Sequence, residues 1–374
     1  MTATHYIGLM SGTSTDGVDA VLVSFTGRNT SPEILAAASQ PMPAALRDTF
    51  LQLNQPGPNE LETSCLAANQ LADLYASTCN QLLQSTGLAP AAIRAIGAHG
   101  QTVRHRPDLG YTVQINAPAR LAELTGIDVI ADFRVRDVAA GGQGAPLVPA
   151  FHDVIFRVEH PRVVLNLGGM ANITLLQPGA PAWGFDTGPA NVLLDLWCNK
   201  HTGQAFDRNG DWAASGAVCT PLLNALLQDE PWFQMPPPKS TGRDQFNDDW
   251  LSERLNRFGQ HELAPGLTAA DIQATLTALT ARSVAQAIGQ QAPATQEVLV
   301  CGGGAHNATL MAQLAQDLPQ CQIRSTAELG IAVEQVEALA FAWLAWAHDN
   351  RHPAGLPAVT GARHPTILGC RHIA

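Results

Sequence analysis

The chain contains the same β-rich pattern twice, and this repeat limits the folds open to it. Residues 6 to 25 form two apolar, β-prone runs separated by the small polar residues Ser-Gly-Thr-Ser-Thr-Asp-Gly. Residues 162 to 176 again form two such runs, separated by Gly168 and Gly169. Two β runs around a short turn are typical of a β-hairpin rather than of a strand that leads into a helix. The repeat predicts two related halves with the same topology.

Helical and strand patterns alternate after each predicted hairpin. Long stretches rich in Ala, Leu and Gln favour helices, and short apolar runs favour strands. We expect helices at 43–54, 61–86, 268–290 and 334–348, a further helix that starts at Pro189, and strands at 93–98, 126–133 and 297–301. A hairpin followed by alternating helices and strands predicts an α/β layer structure.

The length of 374 residues predicts about two domains. The turn-rich stretch 134–150 is the expected crossing between them. We therefore expect an N-terminal domain over 1–135, joined by the C-terminal tail 350–374, and a second domain over 136–349 that carries the later glycine turns. Residues 231–248 contain too many prolines for regular structure and are expected to form a functional loop or lid.

The charge of the chain excludes two classes of partner. Charged residues make up 14% of the sequence, and 21 Lys and Arg against 32 Asp and Glu give a formal net charge of −11. The only lysines are Lys200 and Lys239. Nucleic acids and anionic membranes attract proteins through a dense cationic surface, so neither is an expected partner.

Nothing in the sequence predicts export or membrane insertion. No stretch approaches the roughly 18 consecutive apolar residues that span a bilayer, and the N-terminus lacks a basic segment followed by an apolar core. The seven cysteines are scattered and include no Cys-x-x-Cys pair. We therefore expect a cytoplasmic protein with reduced thiols.

Three glycine turns, at 12–17, 168–169 and 302–304, each follow a β run directly. Backbone N–H groups in such turns can approach a phosphate closely. Taken alone, each turn is better explained as an ordinary hairpin or strand-to-helix turn. Their joint occurrence favours phosphate binding.

Residues 6–25, 163–177 and 298–310, which contain these turns, include neither Lys nor Arg. The chain also has no P-loop and no dinucleotide-binding glycine motif after its first strand. A triphosphate at the turns would therefore be held by backbone dipoles, hydroxyl groups and a divalent metal ion. Asp16 and Asp19 are available to organise the waters of Mg²⁺.

The first turn lies within a longer pattern. The run from Ile7 to Asp19, Ile-Gly-Leu-Met-Ser-Gly-Thr-Ser-Thr-Asp-Gly-Val-Asp, resembles the signature of the anhydro-N-acetylmuramic acid kinases. These enzymes are a branch of the superfamily that includes sugar kinases, Hsp70 and actin. Thr15 departs from the family pattern, in which methionine is more usual. Further matching motifs follow in family order at 98–102, 131–134, 141–149, 166–169, 185–189, 239–243, 302–304 and 356–362.

The resemblance implies an α/β, two-domain actin-like ATPase fold (ribonuclease H-like) with a deep interdomain cleft that closes over ATP and a sugar. Family members cleave the 1,6-anhydro bridge of anhydro-N-acetylmuramic acid with water and phosphorylate O6, which gives N-acetylmuramic acid 6-phosphate in cell-wall recycling. The implied cofactors are ATP and Mg²⁺, with Asp16 holding the metal through water. The residues implied to bind ATP are Gly12, Thr13, Ser14, Thr15, Asp16, Gly17, Val18, Asp19, Gly168, Gly169, Gly302, Gly303 and Gly304.

Asp186 is the expected catalytic residue. The reaction needs a base that accepts a proton from the attacking water. Asp186 follows an apolar run and precedes a predicted helix start, which places it at a strand end. On spacing alone, an aspartate that caps the helix or forms a turn is an equal alternative. The resemblance places the general base of the family at this position.

The expected sugar contacts are His99, Gln101, Arg134 and Glu337. An arginine can meet the lactyl carboxylate of the sugar with two donors, and Arg134 is the candidate; a surface loop arginine is the alternative. His99 and Gln101 follow a predicted strand, where a histidine satisfied within a turn is a serious rival. Glu337 either contacts the sugar or its water, or stabilises the helix dipole from the first turn of a helix.

The sequence leaves three further alternatives open. A kinase of levoglucosan, another 1,6-anhydro sugar, would show the same spacing. An actin-like or Hsp70-like ATP switch would consume no sugar, although the chain has no room for an added peptide-binding domain. Lys239 and Arg243 either close a loop over the substrate or belong to a solvated basic loop.

The one macromolecular partner expected is a second copy of the chain, in a homodimer.

Overall fold

The structure is a computed structural model that describes residues 3–12, 15–27, 32–243, 245–259 and 266–374. Its strands are β1 (Thr4–Met10), β2 (Gly17–Phe25), β3 (Glu33–Pro41), β4 (Ile93–Ala98), β5 (Gln101–Arg106), β6 (Tyr111–Ile115), β7 (Val129–Ala131), β8 (Arg162–Leu167), β9 (Met170–Leu176), β10 (Trp183–Pro189), β11 (Glu297–Cys301), β12 (Gln322–Ser325) and β13 (Cys370–His372). Its α-helices are α1 (Ala44–Leu53), α2 (Glu60–Thr86), α3 (Pro118–Thr125), α4 (Phe133–Ala139), α5 (Val148–Phe156), α6 (Asn191–Thr202), α7 (Asp211–Ala214), α8 (Thr220–Gln228), α9 (Pro231–Gln234), α10 (Asp248–Gly259), α11 (Ala269–Gln291), α12 (Ala308–Asp317), α13 (Gln335–Asp349) and α14 (Pro357–Thr360).

The chain divides into two compact units. The first consists of Met1–Ile155 together with Glu334–Ala374, and the second of Phe156–Val333. These bounds differ from the domains expected from the sequence, because the first unit runs on past residue 135 and takes up α13 as well as the C-terminal tail. The stretch 134–150, expected to be a domain crossing, contains most of α4 and the start of α5 and lies within the first unit.

Helix α13 belongs to the first unit because it packs directly on strands β1, β2 and β4. Two glycines permit this approach: a Cβ atom at Gly8 of β1 would collide with the carbonyl oxygen of Ala338, and one at Gly97 of β4 with that of Phe341. The helix is apolar and buried around its whole circumference from Ala338 to Ala347. Burial of this apolar surface favours the packing of α13 in the first unit, although the helix is distant in sequence from strands β1, β2 and β4.

The sheet of the first unit has the strand order β13-β7-β4-β1-β2-β3. Strands β1, β2 and β3 are antiparallel neighbours, whereas β4 runs parallel to β1 and β7 runs parallel to β4. Strand β13 adds to the edge, antiparallel to β7. The pairing of Met10 with Asp19 closes the β1–β2 hairpin, which confirms the hairpin predicted over 6–25.

The sheet of the second unit repeats this topology in the order β10-β9-β8-β11-β12. Strands β8, β9 and β10 are antiparallel neighbours, β11 runs parallel to β8, and β12 runs parallel to β11. When the strands of each sheet are numbered along the chain, both units share the order 3-2-1-4-5. This confirms the predicted repeat and the α/β actin-like ATPase fold. The interdomain cleft stays a prediction.

Most predicted elements form within one residue of the expected bounds; β1 begins two residues earlier than expected, and two further elements differ. The strand expected at 126–133 is reduced to β7, because α4 already begins at Phe133. Pro189 is the last residue of β10 rather than the first of a helix, and α6 begins at Asn191. The described part of 231–248 contains only α9 and the first residue of α10, as its prolines predict.

All seven cysteines carry free thiols. Burial raises the pKa of the Cys79 thiol to about 12, so this group is a neutral packing residue at physiological pH. Across the residues that the structure describes, no helix is both long and apolar enough to cross a membrane.

Candidate active site

The turn between β1 and β2 begins the candidate site of the first unit. The Thr15 N–H donates to the Gly12 carbonyl at 3.1 Å, and Thr15 has a left-handed backbone with φ 54°. Such a conformation is strained for a β-branched residue and is typical of functional turns. Asp16 is exposed beside it. Thr13 and Ser14 lie outside the described residues, and phosphate binding by the turn stays a prediction.

Strand β2 begins with the next three residues expected to bind ATP, Gly17, Val18 and Asp19. Val18 is fully buried in the core, so only its backbone can serve a ligand. Asp19 is half-buried, lies opposite Ser39 of β3 and accepts a hydrogen bond from its hydroxyl. Burial raises the pKa of the Asp19 carboxyl, Ser39 lowers it, and the charge of Asp16 raises it further.

Gln101 holds the first turn from inside the unit. Its side-chain N–H donates to the Gly12 carbonyl at 3.1 Å, and its side-chain oxygen accepts from the Ser11 hydroxyl. Gln101 is only 1% exposed. Both polar groups of its amide are thus used within the protein, where they fix the start of the predicted phosphate turn. Contact of Gln101 with a sugar stays a prediction.

His99 connects the same turn to Arg134. Its Nδ1–H donates to the Ser11 carbonyl at 3.3 Å, and its Nε2 accepts from Arg134 Nε at 3.0 Å. These two contacts define a neutral imidazole. The ring packs on Phe341, with centroids 4.7 Å apart. Burial, aided by the charge of Arg134, lowers the pKa of His99 to about 3.

We expect the His99 imidazole to stay neutral between about pH 5 and 7.5. The folded protein protonates His99 only near pH 3, whereas an unfolded chain protonates histidine near pH 6.5. Acidification below about pH 6.5 therefore favours the unfolded chain, and stability present above that pH is lost progressively toward pH 3. NMR of ¹⁵N-histidine-labelled protein, with a His99→Gln variant to assign the signal, should show a constant Nδ1–H tautomer.

The same variant supplies the stability control for His99. Between about pH 5 and 6.5, the slope of the unfolding free energy against pH should be smaller in His99→Gln than in the wild type by up to about 1.4 kcal/mol per pH unit. A His99 signal that titrates near pH 6.5 would contradict the buried, neutral state.

Arg134 on α4 is oriented by a buried network. Its Nη1 donates to the Gly144 carbonyl at 2.9 Å, and the Gly144 N–H donates to Asp137 Oδ2 at 2.8 Å. The carboxylate of Asp137 is fully buried and also accepts from the Thr360 hydroxyl at 2.8 Å. The guanidinium of Arg134 is therefore held through both Nε and Nη1, which pre-orients its planar fork.

Glu337 lies in the first turn of α13 and is half-buried. Burial raises the pKa of the Glu337 carboxyl; the charge of Arg134 opposes this, and the carboxylates of Asp19 and Asp16 add to it. These influences act over short distances, so the structure brings Glu337, Arg134, Asp16 and Asp19 into one electrostatic neighbourhood of the first unit.

The acidic groups of this neighbourhood fit Mg²⁺ as a metal bound through water. Asp16 and Asp19 offer the hard oxygen donors that Mg²⁺ prefers. Among the residues that the structure describes, no group of three or more His, Cys, Asp or Glu side chains is arranged to hold a metal ion. Mg²⁺ in phosphotransfer sites typically keeps several waters and uses one or two carboxylates together with substrate phosphates. The donor set matches that pattern.

In the second unit, Asp186 lies inside β10 rather than at its end. Its backbone N–H donates to the Lys239 carbonyl at 3.1 Å, and its Oδ2 accepts from the Thr241 N–H at 2.9 Å. The pairing with β9 changes register between Asp186 and Gly188, an irregularity that re-aims side chains near active sites. Ala190 is the residue before α6, so Asp186 is not the cap of that helix.

The two glycine turns of the second unit lie side by side, at the adjacent ends of the parallel strands β8 and β11. The carbonyls of Gly168 and Gly169 accept from backbone N–H groups at the start of α6 at 2.9–3.1 Å. Gly302 has φ 80°, and a Cβ atom there would lie 2.8 Å from the Leu167 carbonyl oxygen. One at Gly304 would lie 2.6 Å from Leu167 Cβ. The structure therefore brings these turns together, and their contact with ATP stays a prediction.

Asn191 is a candidate site residue that no motif in the sequence singles out. Its Nδ2 donates to the Leu167 carbonyl at 3.1 Å, and its Oδ1 lies beside Gly304. As the first residue of α6, it marks the positive end of a helix dipole next to both glycine turns. The one signal in the sequence is a polar residue just after the Asp-Thr-Gly-Pro motif.

Lys239 is anchored inside the proline-rich segment. Its Nζ donates to the carbonyls of Trp232 and Phe233 at 3.2 and 3.1 Å, and it lies 4.3 Å from the centroid of the Trp232 ring. Burial lowers the pKa of the Lys239 amine. This lysine therefore stabilises the segment that contacts Asp186, whereas Arg243 is exposed. Closure of the segment over a substrate stays a prediction.

The chain is similar to known proteins along almost its whole length. The anhydro-N-acetylmuramic acid kinase of Bordetella pertussis is 61% identical over 364 residues, which cover 97% of this chain and 94% of that protein. The enzyme of the same name from Chromobacterium violaceum is 53% identical over 367 residues, with 97% and 98% covered. Among solved structures, xylulose kinase from Rhodospirillum rubrum matches with 14% identity and a TM-score of 0.46, over 92% of this chain and 90% of that chain.

A family model described as anhydro-N-acetylmuramic acid kinase matches residues 4–374. Together with relatives that are 53% and 61% identical, this match shows that the chain belongs to the anhydro-N-acetylmuramic acid kinase family.

Proposed function

We propose that the chain is an ATP-dependent kinase that opens the 1,6-anhydro ring of 1,6-anhydro-N-acetylmuramic acid with water and phosphorylates O6. The products are N-acetylmuramic acid 6-phosphate and ADP, and the reaction serves peptidoglycan recycling and amino sugar catabolism. The observation that carries this proposal is the family match over residues 4–374, supported by relatives of that name that are covered over 94% and 98% of their own length.

Asp186 is the general base of the proposed reaction. A water oxygen bonds to the anomeric carbon while the bond from that carbon to O6 breaks, and the water proton passes to the Asp186 carboxylate. The released O6 takes the γ-phosphoryl group of ATP, and ADP leaves. The hydrogen bond from the Thr241 N–H supports this role, because it favours the ionised carboxylate that a base must be.

The ATP phosphates are bound mainly by backbone groups in this proposal. The turn at 12–17 and the turns at 168–169 and 302–304 contact the phosphates, and the positive end of α6 adds its dipole. The N–H groups of Thr15 and Gly302 donate to carbonyls of the protein, so other backbone N–H groups of these turns serve the phosphates. Asp16 holds Mg²⁺ through water. When bound, Mg²⁺ neutralises charge that develops on the phosphoryl oxygens.

The sugar is proposed to contact the first unit. Arg134 binds the lactyl carboxylate, and its fork is pre-oriented by His99 and Gly144. His99 and Gln101 shape the same region, where they also fix the first turn. Glu337, whose carboxyl has a raised pKa, contacts the sugar or its water.

The proposal extends to location and partners. The protein acts in the cytoplasm, where its seven free thiols stay reduced. It works as a homodimer and binds neither nucleic acid nor membranes, in keeping with its net charge of −11.

A coupled assay of ADP release tests the proposed function. We expect rapid ADP release with anhydro-N-acetylmuramic acid, much slower release with levoglucosan, and almost none without sugar. When the reaction is run in ¹⁸O water, the label should appear at C1 of the sugar product. ADP release that is indifferent to sugar, with label only in phosphate, would instead indicate an ATP switch; a preference for levoglucosan would reassign the substrate.

A further inference from the structure

A chain of side-chain hydrogen bonds leads away from the Asp186 carboxylate through the proline-rich segment. The Thr241 N–H donates to Asp186 Oδ2 at 2.9 Å, and the Thr241 hydroxyl donates to Gln245 Oε1 at 2.9 Å. Gln245 Nε2 then donates to Glu230 Oε1 at 3.2 Å. The Thr241 hydroxyl and Gln245 Nε2 both donate toward the Glu230 carboxylate, so these two bonds reinforce one another, whereas the Thr241 N–H donates in the opposite direction, to Asp186.

Glu230 is a fixed anchor for this chain. It is 7% exposed, and its Oε2 accepts from Trp250 Nε1 at 2.7 Å and from Arg254 Nη2 at 3.0 Å. Burial favours the neutral acid, but the hydrogen bonds from Trp250, from the Trp232 N–H and from Arg254 outweigh it and lower the pKa of the Glu230 carboxyl. Glu230 therefore stays ionised and is held by α10 as well as by α9.

The same segment also holds the backbone of Asp186. The Asp186 N–H donates to the Lys239 carbonyl at 3.1 Å, and the Lys239 amine is bound to two carbonyls at the end of α9. Asp186 is thus attached at its backbone through Lys239 and at its carboxylate through Thr241. A residue held both at its backbone and at one carboxylate oxygen loses rotational freedom, and fixed orientation of a catalytic group contributes strongly to rate.

We propose that Thr241, Gln245 and Glu230 are positioning residues that fix the Asp186 carboxylate through the Thr241 N–H. The proposal rests on the role of Asp186 as general base. Thr241 donates to Asp186 with its backbone, so the strength of that bond depends on where the Thr241 backbone lies. The bond from its hydroxyl to Gln245, backed by buried Glu230, sets that position.

Substitution of Thr241 separates the hydroxyl from the backbone donor. Thr241→Val keeps the shape and the N–H but removes the bond to Gln245, whereas Thr241→Ser keeps the hydroxyl and serves as the rescue control. In Thr241→Val we expect kcat to fall about tenfold and the acidic limb of the kcat profile to move up by about one pH unit. The acidic limb should move upward because a weaker hydrogen bond to the carboxylate stabilises the ionised form less and so raises the pKa of the Asp186 carboxyl. KM for ATP should stay unchanged.

Gln245→Leu provides a second variant with the same expectation, and circular dichroism with a thermal unfolding midpoint verifies that each variant folds. The double variant should be no slower than the single ones, because both break one chain. If Thr241→Val matches Thr241→Ser in kcat and in its acidic limb, or if kcat falls while that limb stays in place, the positioning role is overturned. Near-wild-type turnover of Asp186→Asn would overturn the assignment of Asp186 as the base. An inactive Asp186→Asn together with an unchanged Thr241→Val would overturn the positioning role alone, so the two failures can be told apart.

Discussion

Asp186→Asn lowers turnover by a factor on the order of 10² to 10⁴ while leaving the fold and ATP binding nearly intact. Asparagine has the same shape as aspartate, and its side-chain oxygen can still accept the hydrogen bond from the Thr241 N–H that the carboxylate accepts at 2.9 Å. The loop contact therefore survives. What disappears is the carboxylate that is proposed to take the proton from water, because an amide is not a base at neutral pH.

Turnover is measured as ADP release at saturating sugar and ATP, and ATP affinity by calorimetry. Glu253→Gln is the matched control: it makes the same carboxylate-to-amide change in the second unit, at a side chain that is 63% exposed and paired with Arg257 on α10. This control should keep full turnover, since exposed ion pairs contribute little. Turnover of Asp186→Asn close to that of the control would remove Asp186 from the mechanism.

We expect Gly302→Ala to disrupt both the fold and the proposed nucleotide site, and Gly303→Ala to affect the proposed nucleotide site alone. At Gly302 the backbone has φ 80°, and a methyl group would lie 2.8 Å from the Leu167 carbonyl oxygen. Strain of this kind costs on the order of 1–3 kcal/mol. At Gly303 the nearest atom to an added methyl group, Asn191 Nδ2, is 3.8 Å away, so the protein itself tolerates alanine.

We expect Gly303→Ala to keep the wild-type unfolding midpoint but to bind ATP about tenfold more weakly, which corresponds to about 1.4 kcal/mol. The reason is that a methyl group would stand where the proposed cradle requires the nucleotide to approach the backbone. Gly302→Ala should lose ATP affinity and also unfold at a lower temperature. Calorimetric titration with ATP and thermal unfolding measure the two effects. Wild-type ATP affinity in Gly303→Ala would show that the nucleotide does not approach this turn.

Local patterns in the sequence predicted the secondary structure well. The two hairpins, α2 and α11 form close to the expected bounds, because alternation and helical spacing reflect contacts between near neighbours in the chain. The failures are also local. Proline suits the first turn of a helix, yet Pro189 is used to end β10, since pairing with β9 continues to that residue.

The domain bounds depended on tertiary packing. The apolar surface of helix α13 could pack on the apolar face of either sheet, and the sequence of the helix does not indicate which sheet it covers. The absence of side chains at Gly8 and Gly97 creates the surface on which it packs, and these residues are more than 200 positions away from the helix. No local pattern reports such a match.

The sequence by itself determined the family and the repeated α/β topology, because motifs and periodicities are properties of consecutive residues; the site residues that it predicts stay a proposal. The tertiary structure decided what holds those side chains. It joined His99 to Arg134 and Asp186 to Thr241, residues that are 35 and 55 positions apart. It also placed Gln101 beneath the first turn. A hydrogen bond between distant residues depends on how the strands and loops pack, so the protonation and orientation of these groups could only be read from the folded chain.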